Sequence, residues 1–154
     1  MKTRVIESEE EKFEIINKCD FCRIGLAGPE GIPYVIPMCF AFDGNYLYLH
    51  AGPTGKKIDI LKENNRICAE FSTDYQMFYQ HEQVACSYGI NYRSVLLYGN
   101  VEFIEDFTHK KEILNKIMQK YAGKSFSYND PAIRNVCVMR ILPVMVEGKV
   151  HGYK

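Results

Sequence analysis

The sequence predicts an α+β fold built on a mostly antiparallel sheet of five or six strands, rolled toward a barrel and flanked by helices. Three observations lead there. Apolar runs of strand length follow one another in meander order with turn residues between them. Helical periodicity occurs in separate segments inserted among the strands, without the strict βαβ alternation of a dinucleotide-binding fold. Of 154 residues 13% are aromatic, eleven Tyr and nine Phe with no Trp, a composition that suits pleated, half-buried surfaces. A sheet this small best loses its edges by closing on itself.

The elements follow in order. Ser8 stands three residues before Glu11, the capping-box spacing, and Phe13, Ile15 and Ile16 give the short helix after it an apolar side to about Asn17. Cys22 to Ala27 reads as a strand, Gly28 to Gly31 as a turn, and Pro33 to Phe42 as a second strand, completing a hairpin. Asp43-Gly44-Asn45 is a turn, and Tyr46 to His50 the third strand. A glycine-containing loop, Ala51 to Lys57, opens a helix that ends at Asn64-Asn65. Arg66 to Thr73 is the fourth strand, and the tyrosine-rich piece from Asp74 to Val84 reads as an irregular loop or lid. Arg93 to Ile104 alternates as a long fifth strand with a bend at Gly99. Phe107, Ile113, Leu114, Ile117 and Met118 fall at helical spacing between Asp106 and Tyr121, and Val136 to Val146, interrupted by Pro143, is the last strand.

No repeat, low-complexity tract or linker divides the chain, so one domain over residues 1–154 is expected. Nineteen basic residues balance nineteen acidic ones, which removes the global positive field that nucleic-acid binding depends on. The six cysteines sit mostly among strand-like apolar residues, where a free thiol behaves as a small hydrophobe and implies a reducing compartment. Met1-Lys2-Thr3-Arg4 runs into an acidic stretch without the apolar core of a signal peptide, and no apolar run approaches the roughly 20 residues of a membrane span. A cytoplasmic protein without membrane or nucleic-acid partners is the expectation.

Chemistry concentrates in Leu49-His50-Ala51-Gly52-Pro53-Thr54-Gly55-Lys56-Lys57. A strand ends, glycines free the backbone N–H groups, and two lysines arrive at a helix N-terminus whose dipole favours an anion. That is the chemistry of a phosphate site; a solvated loop with a lysine pair is the plainer reading. The spacing is not that of a Walker A loop, since Gly52 and Gly55 are too close and Lys57 stands where Ser or Thr belongs. A second segment, Tyr92-Arg93-Ser94-Val95 through Tyr98-Gly99, opens a buried strand with a cation and a hydroxyl. Arg93 suits a phosphate or heterocycle contact, though an ion pair with a carboxylate such as Glu70 or Glu102 is the plainer reading.

With Pro33-Tyr34-Val35-Ile36-Pro37-Met38 and Arg66-Ile67-Cys68, these blocks resemble, in order and spacing, the FMN-binding split barrel of pyridoxamine 5'-phosphate oxidase-like proteins, and within it the 5-nitroimidazole-resistance branch. The likeness runs from about Phe21 to Met118 and on toward Lys149. It implies a six-stranded split barrel and a homodimer with FMN at the subunit interface. It further implies that Val35, Ile36, Pro37 and Met38 line the isoalloxazine with backbone groups and that His50 and Ala51 lie beside the ring or ribityl chain. Gly55, Lys56 and Lys57 would meet the phosphate, and Arg93 and Ser94 close the site. The corresponding histidine of the branch makes His50 the candidate catalytic residue, a proton donor whose ordinary pKa lies near neutrality; a ring contact, an axial ligand or a mere strand cap are the other readings. The Trp-containing, Arg-rich C-terminal segment of the true oxidases is missing, so vitamin B6 oxidation is not expected.

Other motifs say less. Cys19-Asp20-Phe21-Cys22 lacks the second pair of a structural zinc site and closes a helix where a thioredoxin motif would open one. His81-Glu82 lacks a second zinc-binding His, and no metal is expected. Tyr75, Phe78, Tyr79 and Tyr88 suit a roof over the barrel or a planar ligand. The resulting expectation is an FMN-dependent oxidoreductase that reduces a small, electron-poor acceptor such as a nitroaromatic ring. Its main rival is a split barrel that holds flavin or haem without turnover.

Overall fold

The computed structural model describes residues 2–153; Met1 and Lys154 lie outside the described residues. Strand β1 (Thr3–Ile6) leads into helix α1 (Glu9–Lys18). Ser8 caps this helix, its side chain accepting from Glu11 N at 3.2 Å, as the spacing predicts. The hairpin follows as β2 (Cys22–Ala27) and β3 (Pro33–Met38), then β4 (Phe40–Phe42) and β5 (Leu47–Ala51). The chain continues through α2 (Lys56–Glu63), β6 (Arg66–Tyr79), β7 (Tyr88–Ile104), α3 (Phe107–Ala122), α4 (Asp130–Arg134) and β8 (Cys137–His151). All strands join one antiparallel sheet in the order β3-β2-β6-β7-β8-β5-β4, with β1 also on β8.

The sheet therefore has eight strands among the described residues where the sequence predicts six. One is the unpredicted β1. The other comes from Pro33–Phe42, which is two strands parted at Cys39. Met38 still pairs with Cys22 of β2, whereas Phe40 pairs with Leu49 of β5. At the crossing the Phe40 N–H donates to Tyr121 Oη of α3 at 3.1 Å, and that phenol donates to Asp20 O at 2.6 Å. A side chain thus satisfies the backbone group that changes partners. The strands at the two ends of the sheet, β3 and β4, are consecutive in the chain and joined through Cys39.

The stretch from Asp74 is not the irregular lid its composition suggests. Met77 pairs with Ile90 and Tyr79 with Tyr88, so β6 and β7 run on as a two-stranded arm. A bulge between Thr73 and Gln76, with Asp74 at φ 57°, shifts the register. Before it Ile67, Ala69 and Phe71 point into the core; beyond it Tyr75, Met77 and Tyr79 are exposed. One extra residue inverts the alternation, and the period of two disappears from the sequence. Similarly, β8 does not stop near Val146: Pro143 falls opposite Gly99 at a second register shift, and pairing continues to His151.

Two cores result. Phe40 and Phe71 meet edge to face at 4.9 Å among Ile24, Leu49, Leu97 and Ile141 inside the sheet. On its other side Ile113, Leu114 and Ile117 of α3 and Ile133 of α4 cover Tyr48, Ile104 and Val138. Each such buried side chain contributes about 1.5–3 kcal/mol.

Candidate functional site

The local chain leaves the start of α2 open. Strand β5 ends at Ala51, and Gly55, at φ 126°, occupies a region that favours glycine and forms the N-cap without any side-chain cap bond. Ile58 N and Asp59 N both donate to Gly55 O, at 3.0 and 3.1 Å. The N–H groups of Lys56 and Lys57 precede the first intrahelical bond and remain available. A Cβ at Gly52 or Gly55 would meet no atom within 4 Å, so the approach is open. Among the described residues neither lysine is in an ion pair. Lys56 instead lies over the Tyr34 ring, its Nζ 4.8 Å from the centroid, which brings α2 against β3. Tyr34 is a site neighbour that sequence reasoning passed over; its signal was its place beside Val35.

Strand β3 pairs only with β2, leaving one edge outside the ladder, and its Pro33 and Pro37 are compatible with that edge position. Val35 and Pro37 are exposed; Ile36 is half-buried and Met38 buried. On the other side of the Cys39 crossing, His50 pairs with Val138 and shares its face with Tyr48, toward α3 and α4. His50 is half-buried, and its Nδ1 is shielded from solvent with no hydrogen-bond partner among the described residues. Burial holds its imidazole below the usual pKa, so the neutral ring prevails at pH 7 with one nitrogen awaiting a partner. Of the predicted site residues, Lys56 is brought to β3 through Tyr34, while His50 and Ala51 end β5 four residues before Gly55.

Arg93 and Ser94 lie far along the sheet from His50. Val138, the partner of His50, and Val150, the partner of Arg93, are twelve residues apart on β8, on the order of 35–40 Å of strand at about 3.3 Å per residue. Arg93 donates to Asp74 Oδ2 at 2.8 Å and lies over the Tyr153 ring at 4.3 Å. Its partner is neither Glu70 nor Glu102, which pair with Arg23 and Arg140. Lys18 also donates to Asp74, and Tyr153 Oη to its carbonyl at 2.5 Å. The two cations hold the Asp74 carboxyl below its usual pKa and clamp the bulge at the base of the arm. Ser94 lies on the outer face of the sheet beside Ser72 and Lys149.

The tyrosine cluster does not roof the barrel. Tyr75, Met77, Tyr79, Tyr88 and Ile90 are 41–67% exposed, with Tyr79 and Tyr88 stacked at 4.9 Å. Val35, which lines a cavity with Tyr75, is exposed as well. Two adjoining cavities of about 350 and 480 Å³ open over β2 and β6, the second touching Val35. A larger one, about 560 Å³, lies between α1 and the irregular part of β8 and touches none of the predicted site residues. Cys19 and Cys22 are buried free thiols, and burial pushes the Cys22 thiol up to about 12. Among the described residues no group of three His, Cys, Asp or Glu could hold a metal ion, and no helix is long and apolar enough to cross a membrane.

A large antiparallel sheet with flanking helices defines the class, an α+β fold of the split-barrel kind. The chain belongs to the pyridoxamine 5'-phosphate oxidase-like split-barrel family, a flavin-binding family, whose model matches residues 8–150. It is 44% identical to a candidate 5-nitroimidazole antibiotic resistance protein of Bacteroides thetaiotaomicron, covering 97% of this chain and 87% of that one with a TM-score of 0.87. A flavocytochrome of Azotobacter vinelandii matches at 22% identity and TM-score 0.81, over 98% of this chain and 70% of its own. An FAD- and heme-binding protein of Mycobacterium smegmatis matches at 15% and 0.84, over 99% and 75%; these two show likeness of fold. No curated protein matches the chain.

Proposed function

We propose that the chain is a cytoplasmic, homodimeric, FMN-dependent oxidoreductase that reduces small, flat, electron-poor acceptors of the nitroaromatic class. The observation that carries this reading is the start of α2: two lysines without ion-pair partners and free N–H groups behind Gly55, packed against the β3 edge through Tyr34. The 44% identity to a candidate nitroimidazole-resistance protein favours the acceptor class.

FMN supplies the two-electron chemistry when bound. Lys56, Lys57 and the first N–H groups of α2 hold the phosphate by charge-assisted bonds. Backbone groups of Val35 to Met38 face the ring edge. His50, neutral and with Nδ1 unpaired, would accept a proton or a hydrogen bond from a bound group. Arg93 and Ser94 lie far along the sheet from His50, and a second copy would bring them to it. The exposed apolar face of the arm supports the same conclusion, since monomers rarely leave such a surface in water. A rival reading, flavin or haem holding without turnover, draws on the unpaired His50 nitrogen, a fit for an axial ligand, and on the flavocytochrome and FAD- and heme-binding relatives.

The test is the visible spectrum of purified protein during FMN titration, followed by NAD(P)H-dependent reduction of a 5-nitroimidazole. Flavin uptake with turnover is expected. Uptake without turnover favours the holding protein, and a Soret band favours haem.

A further inference from the structure

We propose that Gly25 lacks a side chain so that a flat heteroaromatic ring, the flavin's own or the acceptor's, lies on the outer face of the sheet between Val35 and Tyr98. The inference rests on the proposed flavin function and assigns a seat within it.

Gly25 sits in the middle of β2, paired with Val35 on one side and Cys68 on the other. Glycine is a poor strand former, and inside a strand it marks a bulge, a bend or the close approach of something else. The sheet has three other glycines, Gly89, Gly99 and Gly148, of which the last two serve for comparison. At Gly99 a Cβ would come within 2.8 Å of Leu142 O, and at Gly148 within 2.9 Å of Ile6 Cβ, so packing inside the chain demands both. At Gly25 a Cβ would meet only Cys68 O at 3.4 Å and Cys68 Cβ at 3.9 Å, ordinary contacts. Its φ is not positive either. Neither the backbone nor the packing of this chain requires the glycine, so what it makes room for comes from outside.

The surroundings suit a ring. The cavities of about 350 and 480 Å³ meet at Gly25 and Cys68, which both line. Cross-strand register sets Val35, Gly25, Cys68 and Tyr98 in one row, about 14 Å across at roughly 4.8 Å per strand, room for a fused ring system. Tyr98 walls one cavity and Tyr75 the other, aromatic surfaces for edge or offset contacts. The Arg23–Glu70 pair, 3.0 Å apart, stands on the rim with hydrogen-bonding groups for ring heteroatoms. Val35 joins this row to the β3 segment assigned to the flavin.

The test compares wild type with Gly25→Val, a residue that strands favour, for FMN affinity, for KM of a 5-nitroimidazole, for haemin binding, and for self-association by sedimentation. An FMN affinity at least tenfold weaker with self-association intact assigns the seat to the flavin; unchanged FMN affinity with KM raised at least tenfold assigns it to the acceptor. Unchanged ligand binding overturns the proposal, as does loss of self-association alone, which would mean that the glycine clears a partner's backbone. If valine prevents folding, Gly25→Ala gives the same contrast with an expected change of about threefold. The wild-type titration separately tests the function: binding of haemin alone overturns the flavin reading while the variant contrast still judges the seat, and a wild type that binds none of the three overturns both.

Discussion

The two ends of the long strand β7 have opposite surroundings. Near Ile104 and Val138 the sheet is covered by α3 and α4, and its side chains are buried on both faces. Beyond Thr73 the β6–β7 pair leaves those layers as an arm whose tyrosines, Met77 and Ile90 are exposed. The first region satisfies its own hydrophobic surface and needs nothing further to fold. The second has strand pairing but no covering layer, and two strands alone are marginal in water. The difference separates residues packed between the chain's own layers from residues that those layers leave uncovered.

Substitutions can break that contrast. The largest expected effect is in the covered region: Phe71→Ala should lower unfolding free energy by about 3–5 kcal/mol, measured by denaturant titration, because Phe71 is fully buried against Phe40. A loss under 1 kcal/mol would refute this account of the core. Lys56→Ala with Lys57→Ala should leave stability nearly unchanged and weaken FMN by about 1.5–3 kcal/mol per lost contact; equal affinity in both proteins removes the phosphate assignment. In the arm, Met77→Asp with Ile90→Asp should change monomer stability little, within about 0.5 kcal/mol per exposed site, yet shift sedimentation from dimer toward monomer. A variant that stays dimeric places the interface elsewhere.

The smallest effect concerns protons. The folded pKa of His50 lies below its unfolded value, so below about pH 6.5 the unfolded chain binds the proton first. Stability should therefore fall as pH drops from about 6.5 through the folded value and be indifferent to this group above it. His50→Gln should flatten that part of the profile. If the two profiles coincide, the imidazole is not held neutral by burial.

The covered region was also the legible one. Ser8, the strand Cys22–Ala27 and the helix after Asp106 follow their sequence signals closely, because capping and one-sided periodicity are local. What escaped depends on distant contacts. The division of Pro33–Phe42 at Cys39 depends on Tyr121, eighty-one residues beyond Phe40. The arm was hidden by the inversion at Asp74, and the partner of Arg93 by the same bend. β1 has its register from β8, at the other end of the sequence. For the candidate site, the Gly55 cap and the helix start at Lys56 were readable from the glycines. Tyr34 beneath Lys56 and the separation of Arg93 from His50 required the sheet register.

The arm built by β6 and β7 also sets a rule for how this protein can change. Side chains alternate between faces along a strand, so two residues added to each side of the 80–87 tip lengthen the reach by about 7 Å and keep the same face apolar. One added to a single side turns that face over. Descendants of this sequence can therefore vary the arm's length in even steps while the barrel stays as it is, and an odd insertion has to be absorbed by a new bulge, as Asp74 already does.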